Sequence, residues 1–270
     1  MPQVKLIATD LDGTLLDSTG RIPERNLRAL REAMARGVAA TICTGRMLRS
    51  ARQFAEQIGI NIPLVCYNGA MLAQPDGHPA WSLTLDMGLA KELLAMCLER
   101  RVHVQSYVGD DLYVRDADAA VFRDYVKYFG VSGSVVGDDI FNPPASPTKL
   151  LAMAETEEGA IALEGDLKER FGDAIYVTRS LGTFVEMLNP EVNKANALRR
   201  LADDLGVAMN DVMAIGDGEN DIEMIKSAGV GVAMENGADK IKSVADCIAP
   251  TNDENGVAWA IERYALDVGP

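Results

Sequence analysis

Asp10 and Asp12 stand one residue apart at the end of the apolar run VKLIAT, followed at once by Gly13 and Thr14. Carboxylates that close raise one another's pKa unless a cation intervenes. Far along the chain, GDGEND at 216–221 supplies Asp217, Asn220 and Asp221 directly after a second apolar run, DVMAI. Thr44 follows VAATIC, and Asn68 follows PLVCY. If these runs are strands of one sheet, their ends lie side by side and the carboxylates converge. Oxygen ligands without His or Cys suit magnesium, which takes a few carboxylates, waters and a substrate phosphate. A carboxylate beside that ion can attack phosphorus to give an aspartyl-phosphate. The ion and a lysine then neutralise charge on the phosphoryl oxygens. Lys194, in NPEVNKANAL, is the candidate lysine. Gly13 permits a tight turn, and N–H groups after Asp10 could cradle a phosphate as a backbone nest.

The elements that must position these residues follow from periodicity. After the first strand, Pro23-Glu24 opens a helix with Leu27, Leu30 and Met34 at helical spacing, and Gly37 stops it. The strand 38–43, a helix over roughly 46–58 ending at Gly59, and the strand run 63–69 come next. The same rhythm returns late: a helix from about Lys194 to Leu205, strand 211–215, a helix, the run GVGVAM, another helix, and a last one from about 255. Apolar strands alternating with helices argue for a parallel sheet covered on both faces. Ligands on such sheets bind beyond the carboxyl ends of the strands. Residues 84–189 read differently: HVQSYV, LYV, TKLLAMA, AIYVT and TFVEML alternate with two or three helices, an α+β insertion between the halves of the parallel-sheet domain.

The chain has 270 residues and a formal charge of −14, which repels nucleic-acid backbones and anionic membrane surfaces. Any anionic substrate therefore needs a local positive site. The absence of a signal-like N-terminus and of a long apolar segment gives the expectation of a cytoplasmic protein. Cys43, Cys66, Cys97 and Cys247 form no C-x-x-C pair and read as core thiols.

The chain resembles the haloacid dehalogenase superfamily, in particular the Cof-type sugar phosphatases with an inserted type IIB cap. D-L-D-G-T-L at 10–15 resembles the first motif, Thr44-Gly45-Arg46 the second, Lys194 the third and G-D-G-E-N-D the fourth, in the family's order. The resemblance implies a Rossmann-like parallel-sheet hydrolase core over 1–83 and 190–270 with a cap over 84–189. It implies that Asp10 is nucleophile and metal ligand. Asp12 is then the general acid and base, its backbone carbonyl touching the metal. Asp217 would be the second metal carboxylate and Asp221 a further ligand, through water. Thr44, Lys194 and Asn220, with the N–H groups of Leu11 and Gly45, would hold the phosphate. Mg2+ is the implied cofactor. Ala195 stands where members often have Gly after the lysine, a difference of one methyl.

Duller roles compete for several positions. Asp12 and Thr14 fit an Asx-type turn, Thr44 and Asp221 fit helix caps, and Lys194 fits a solvated helix lysine. Asn68 fits a turn residue before Gly69, and Arg46 either a surface arginine or a screen for the phosphate. His78 and His103 read as structural, with His103 also open as a substrate contact of the cap. The expected function is magnesium-dependent hydrolysis of a small phosphorylated metabolite, sugar phosphates first, by a monomer or small homo-oligomer. The cap is expected to close over the leaving group. A sugar phosphomutase using the same intermediate, and a silent phosphate-ligand sensor, are the alternatives.

Overall fold

The computed structural model describes residues 3–116, 120–180 and 182–266. Its first strand, β1 (Leu6–Thr9), leads through a wide turn to α1 (Glu24–Ala35), β2 (Ala39–Ile42), α2 (Leu48–Ile58), β3 (Leu64–Cys66), β4 (Met71–Ala73) and β5 (Pro79–Ser82). Then come α3 (Met87–Glu99), β6 (His103–Val108), β7 (Asp111–Val114), α4 (Ala120–Phe129), β8 (Ser134–Val135), β9 (Lys149–Met153), α5 (Glu157–Phe171), β10 (Tyr176–Ser180) and β11 (Phe184–Leu188). The chain closes with α6 (Lys194–Asp204), β12 (Val212–Gly216), α7 (Ile222–Ser227), β13 (Val230–Met234), α8 (Asp239–Lys242), β14 (Cys247–Ala249) and α9 (Gly256–Tyr264).

The described residues within Met1–Trp81 and Asn193–Pro270 form one compact unit, and those within Ser82–Val192 a second. The first is α/β. Its sheet runs β14-β13-β12-β1-β2 with all pairs parallel, and a parallel bridge from Cys43 to Val65 carries β3 alongside β2. β1 pairs Leu6 with Val212 on one side and with Ala39 on the other. The strand order reverses at that point, and such a reversal opens a crevice at the strands' carboxyl ends. Strand alternation sends Leu6, Ala8, Val212 and Ala214 to one face, where they pack with Leu198 and Leu201 of α6 and Ile225 of α7. Ile7 and Met213, also fully buried, point to the other. Burial on both faces is why these strands read as unbroken apolar runs.

The second unit carries a sheet in the order β10-β11-β9-β6-β7-β8, antiparallel except for β7 with β8. Val104, Leu150, Ala152, Val185 and Met187 line one face beneath Leu93 and Leu94 of α3 and Leu163 and Leu167 of α5. The opposite strand positions carry Gln105, Tyr107, Lys149 and Glu186, all buried. There the Tyr107 hydroxyl donates to Gln105 Oε1 at 2.7 Å, and Lys149 Nζ lies 3.4 Å from Glu186 Oε2. His103 stacks on Phe122 with ring centroids 6.0 Å apart. Its Nε2 is buried without a hydrogen-bond partner among the described residues, and burial lowers its pKa.

Four short strands escape the periodicity, among them β8, two residues long. β4 and β5, a continuation of β3 into a three-stranded sheet, and β14 are each three or four residues long. α2 begins at Leu48 rather than near 46, since Met47 is still extended at φ −68°, ψ 154°. Cys43, Cys66 and Cys97 are buried thiols, burial pushing Cys97 up to about 12, while Cys247 is only half-buried. Among the described residues no helix is long and apolar enough to cross a membrane.

Candidate active site

β1 delivers Asp10 to its carboxyl end, where the Asp10 N–H donates to the Ile215 carbonyl of β12 at 2.9 Å. That bond keeps the two central strands in register up to the site. The chain then opens into a turn over Leu11–Leu15, with Gly13 at φ 80°. A Cβ on Gly13 would run into the Asp217 carboxylate, so glycine is required by both conformation and space. Thr14, fully buried, donates its hydroxyl to Asp217 Oδ1 at 2.5 Å. The Thr14 hydroxyl thus reaches across 203 positions, while the turn closes locally through the Leu16 N–H to the Leu11 carbonyl at 2.9 Å. Asn236 Nδ2 donates to the Gly13 carbonyl at 2.8 Å, and Asn252 Nδ2 to the Leu16 carbonyl at 2.8 Å. These two asparagines pin the turn from the far end of the chain.

β12 ends at Gly216, and the loop that follows folds around Asp221. Asp221 Oδ2 accepts the N–H groups of Asp217 at 3.1 Å and Gly218 at 3.0 Å. Its other oxygen accepts from Lys194 Nζ at 2.6 Å, and Lys194 donates equally to Asp10 Oδ1 at 2.6 Å. Lys194 opens α6, which Asn193 caps by accepting the Asn196 N–H at 2.7 Å. Its side chain is wholly buried, so the solvated-lysine reading does not hold.

Burial disfavours the charge on Lys194, yet the two carboxylates outweigh it and raise its pKa well above the ordinary value. Asp10 is also raised, first by burial, with Asp221, Asp217 and Asp12 adding to it against the pull of Lys194. Asp217 is pushed up to about 6, burial leading, in spite of the Thr14 hydrogen bond. One lysine therefore does not neutralise this cluster. Oxygens of Asp10, Asp217 and Asp221 lie within 4.8 Å of one another, an oxygen-only donor set that fits a hard divalent cation. Asp221 already accepts N–H bonds on both oxygens, which suits an outer ligand behind Asp10 and Asp217. The Asp12 carboxylate stands apart from this group.

The neighbouring strand ends complete the site. Thr44, buried at the end of β2, accepts the Arg46 N–H on its Oγ1 at 3.1 Å, and its carbonyl accepts from the Asn68 N–H at 3.0 Å. Tyr67, Asn68 and Gly69 all take positive φ, at 54°, 57° and 100°. This left-handed stretch turns the Asn68 side chain onto Gly45, and Asn68 Oδ1 accepts from Asn220 Nδ2 at 2.8 Å. A Cβ on Gly69 would collide with the Asn193 carbonyl, so the same turn presses on the start of the Lys194 helix. Asn68 is therefore more than a turn residue.

Arg46 points inward. Its Nε and Nη2 donate to Asp12 Oδ2 at 2.7 Å and Oδ1 at 2.5 Å. The structure thus brings Asp10, Asp217, Asp221, Thr14 and Lys194 into direct contact, and Thr44, Gly45, Asn68 and Asn220 into an adjoining group. Asp12 joins through Arg46. Asn236 and Asn252 have no sequence motif that marks them, and Arg46, which has one, reads from the sequence as a surface arginine or a screen for the phosphate, not as a partner of Asp12.

A family model for haloacid dehalogenase-like hydrolases matches residues 7–261. An Arabidopsis thaliana protein named chloroplastic endoribonuclease YBEY is 33% identical over 98% of this chain, which spans only 47% of that protein. The Bacillus subtilis protein YitU, named a 5-amino-6-(5-phospho-D-ribitylamino)uracil phosphatase, is 32% identical over 96% of this chain and 97% of its own length. A crystal structure of a haloacid dehalogenase-like hydrolase from Bacteroides thetaiotaomicron is similar with a TM-score of 0.88 at 29% identity, covering 97% of this chain and 99% of that one. With a parallel-sheet core, an inserted unit and a match along nearly the whole sequence, this chain belongs to the haloacid dehalogenase-like hydrolases.

Proposed function

We propose that the chain is a magnesium-dependent phosphatase of small phosphorylated metabolites, working through an aspartyl-phosphate on Asp10. The observation that carries this reading is the buried lysine 2.6 Å from both Asp10 and Asp221, with Asp217 in the same oxygen cluster. A structural ion pair needs one carboxylate per lysine; three around one lysine leave room for a cation and for chemistry.

In this reading an Asp10 oxygen attacks phosphorus as the bond to the leaving oxygen breaks, and Asp12 gives that oxygen a proton. Asp12 then takes a proton from the water that attacks the phosphoryl group, so phosphate leaves and Asp10 is restored. Lys194 holds Asp10 in place and supplies positive charge to the phosphoryl oxygens. Thr44, Asn220 and the N–H groups of Leu11 and Gly45 hold the other oxygens. Asp10, Asp217, the Asp12 carbonyl and, through water, Asp221 would hold Mg2+, which when bound spreads the charge of the phosphoryl group. The inserted unit is assigned the choice of leaving group. Sugar phosphates remain the leading class, and the ribityl phosphate in the name of YitU is a polyol ester of the same kind.

The test is phosphate release from a panel of sugar and polyol phosphates and p-nitrophenyl phosphate, with magnesium or chelator, by wild type and Asp10→Asn. Magnesium-dependent release that disappears in Asp10→Asn is expected. Turnover by a folded Asp10→Asn would remove the covalent mechanism, and isomerised sugar phosphate in place of free phosphate would make the chain a mutase.

A further inference from the structure

Asp12, at φ −76°, ψ 119° directly before Gly13, has a side chain that is 44% exposed. An aspartate on such a turn has two free side-chain torsions and no intrinsic reason to aim its carboxylate at one point. Arg46, in contrast, is held at both ends. Its N–H donates to Thr44 Oγ1 and its carbonyl accepts the Tyr67 N–H at 3.0 Å. Its side chain is 9% exposed, with the guanidinium carbon 5.4 Å from the centre of the Phe54 ring and Nη1 3.4 Å from Ser50 Oγ. Ser50 and Phe54 are both on α2, so the guanidinium is braced against a helix. From there its fork takes both Asp12 oxygens at 2.7 and 2.5 Å. A bidentate fork fixes the plane of a carboxylate as well as its position, which a single ammonium does not.

We propose that Arg46 is a positioning residue for Asp12, setting the carboxylate plane from which Asp12 passes protons to and from the leaving oxygen and the attacking water. A substrate phosphate would have to displace Asp12 to reach the Nε edge of Arg46, so the geometry favours this role over direct phosphate binding. The inference rests on the phosphatase reading, and its consequence is specific. Losing the fork harms the transfer of a proton, so the damage grows with the basicity of the leaving group. Losing a phosphate ligand harms all esters alike.

The experiment compares kcat/KM on p-nitrophenyl phosphate, whose leaving group needs little acid help, with that on phenyl phosphate, for wild type, Arg46→Gln and Arg46→Lys. Positioned acid–base groups contribute about 100-fold or more to rate, so in Arg46→Gln the phenyl ester is expected to lose at least about tenfold more than the p-nitrophenyl ester. Arg46→Lys keeps the charge without the fork and should show the same selective loss. Inhibition by orthovanadate should stay within about threefold of wild type in both variants, since a fold change below that is under about 0.7 kcal/mol. Equal losses on both esters, with vanadate binding weakened in parallel, would overturn the proposal in favour of a phosphate contact. A wild-type ester ratio in Arg46→Lys would overturn the role of the fork. Should Arg46→Gln fail to fold by circular dichroism, the Lys variant alone decides. Wild type inert towards both esters would instead remove the phosphatase reading, and the proposal with it.

Discussion

At the scale of single residues, the site is a cluster of acids that its own lysine leaves unbalanced. Burial pushes the Asp217 carboxyl up to about 6 from its ordinary value of 3.8. Between those pH values the folded chain binds more protons than the unfolded one, so this group's contribution to stability falls as pH rises through the window. Magnesium takes the proton's place only where the carboxylate is free of it. Magnesium is therefore expected to raise the melting temperature more at about pH 7.5 than at about pH 5, read by thermal denaturation with and without the ion. An equal or larger rise at the lower pH would contradict the cluster as its binding site. The acids and Lys194 were legible in the sequence because their types and order follow family motifs. The partner of Arg46 was not: a pair spanning 34 positions leaves no local pattern, and the same holds for Asn236, whose bond to Gly13 spans 223.

Among the elements, the turn at Tyr67–Gly69 ties three strand ends together at the cost of backbone strain. A non-glycine residue at positive φ costs roughly 1–2 kcal/mol, and Tyr67 and Asn68 both sit there. Gly69→Ala adds a collision with the Asn193 carbonyl, and Asn193 caps the helix that starts with Lys194. The substitution is expected to destabilise the protein by about 2 kcal/mol or more and to lower activity as well. Gly206→Ala makes the control, since it has φ 68° but nothing within 4 Å, and only about 1 kcal/mol should be lost with activity kept. Urea denaturation and turnover of the two variants give the comparison; equal losses in both would mean that the contact with Asn193 carries no weight. The strands and helices of the parallel core were legible because burial on both faces leaves long apolar runs with Gly stops. β4, β5 and β14 are too short to show a period, and the left-handed Tyr67 could not be foreseen, because nothing in a tyrosine asks for that conformation.

For the molecule as a whole, a formal charge of −14 repels a phosphate ester, and the donors gathered at the site, Lys194 foremost, act against that repulsion. Long-range repulsion is screened by salt over about 10 Å at 0.1 M, whereas contacts within the site are not. Adding potassium chloride up to about 0.1 M should therefore lower KM for a phosphate ester while kcat holds. A KM that climbs with salt would show that a positive field at the site governs capture. The split of the core was legible as a change of rhythm near the ends of the insertion, and it has a further consequence. β1 takes β2 as one neighbour, but its other, β12, lies 206 residues later, at the pairing of Leu6 with Val212. A ribosome adding 5–20 residues per second needs roughly 10–40 s to reach it. Until β12 is made, β1 has one edge without its partner, and for most of that interval Lys194 as well as Asp217 has yet to be synthesised. Of the acids of the site, only Asp10 and Asp12 exist at that stage, and charge at an unfinished strand end disfavours its pairing with a neighbouring polypeptide.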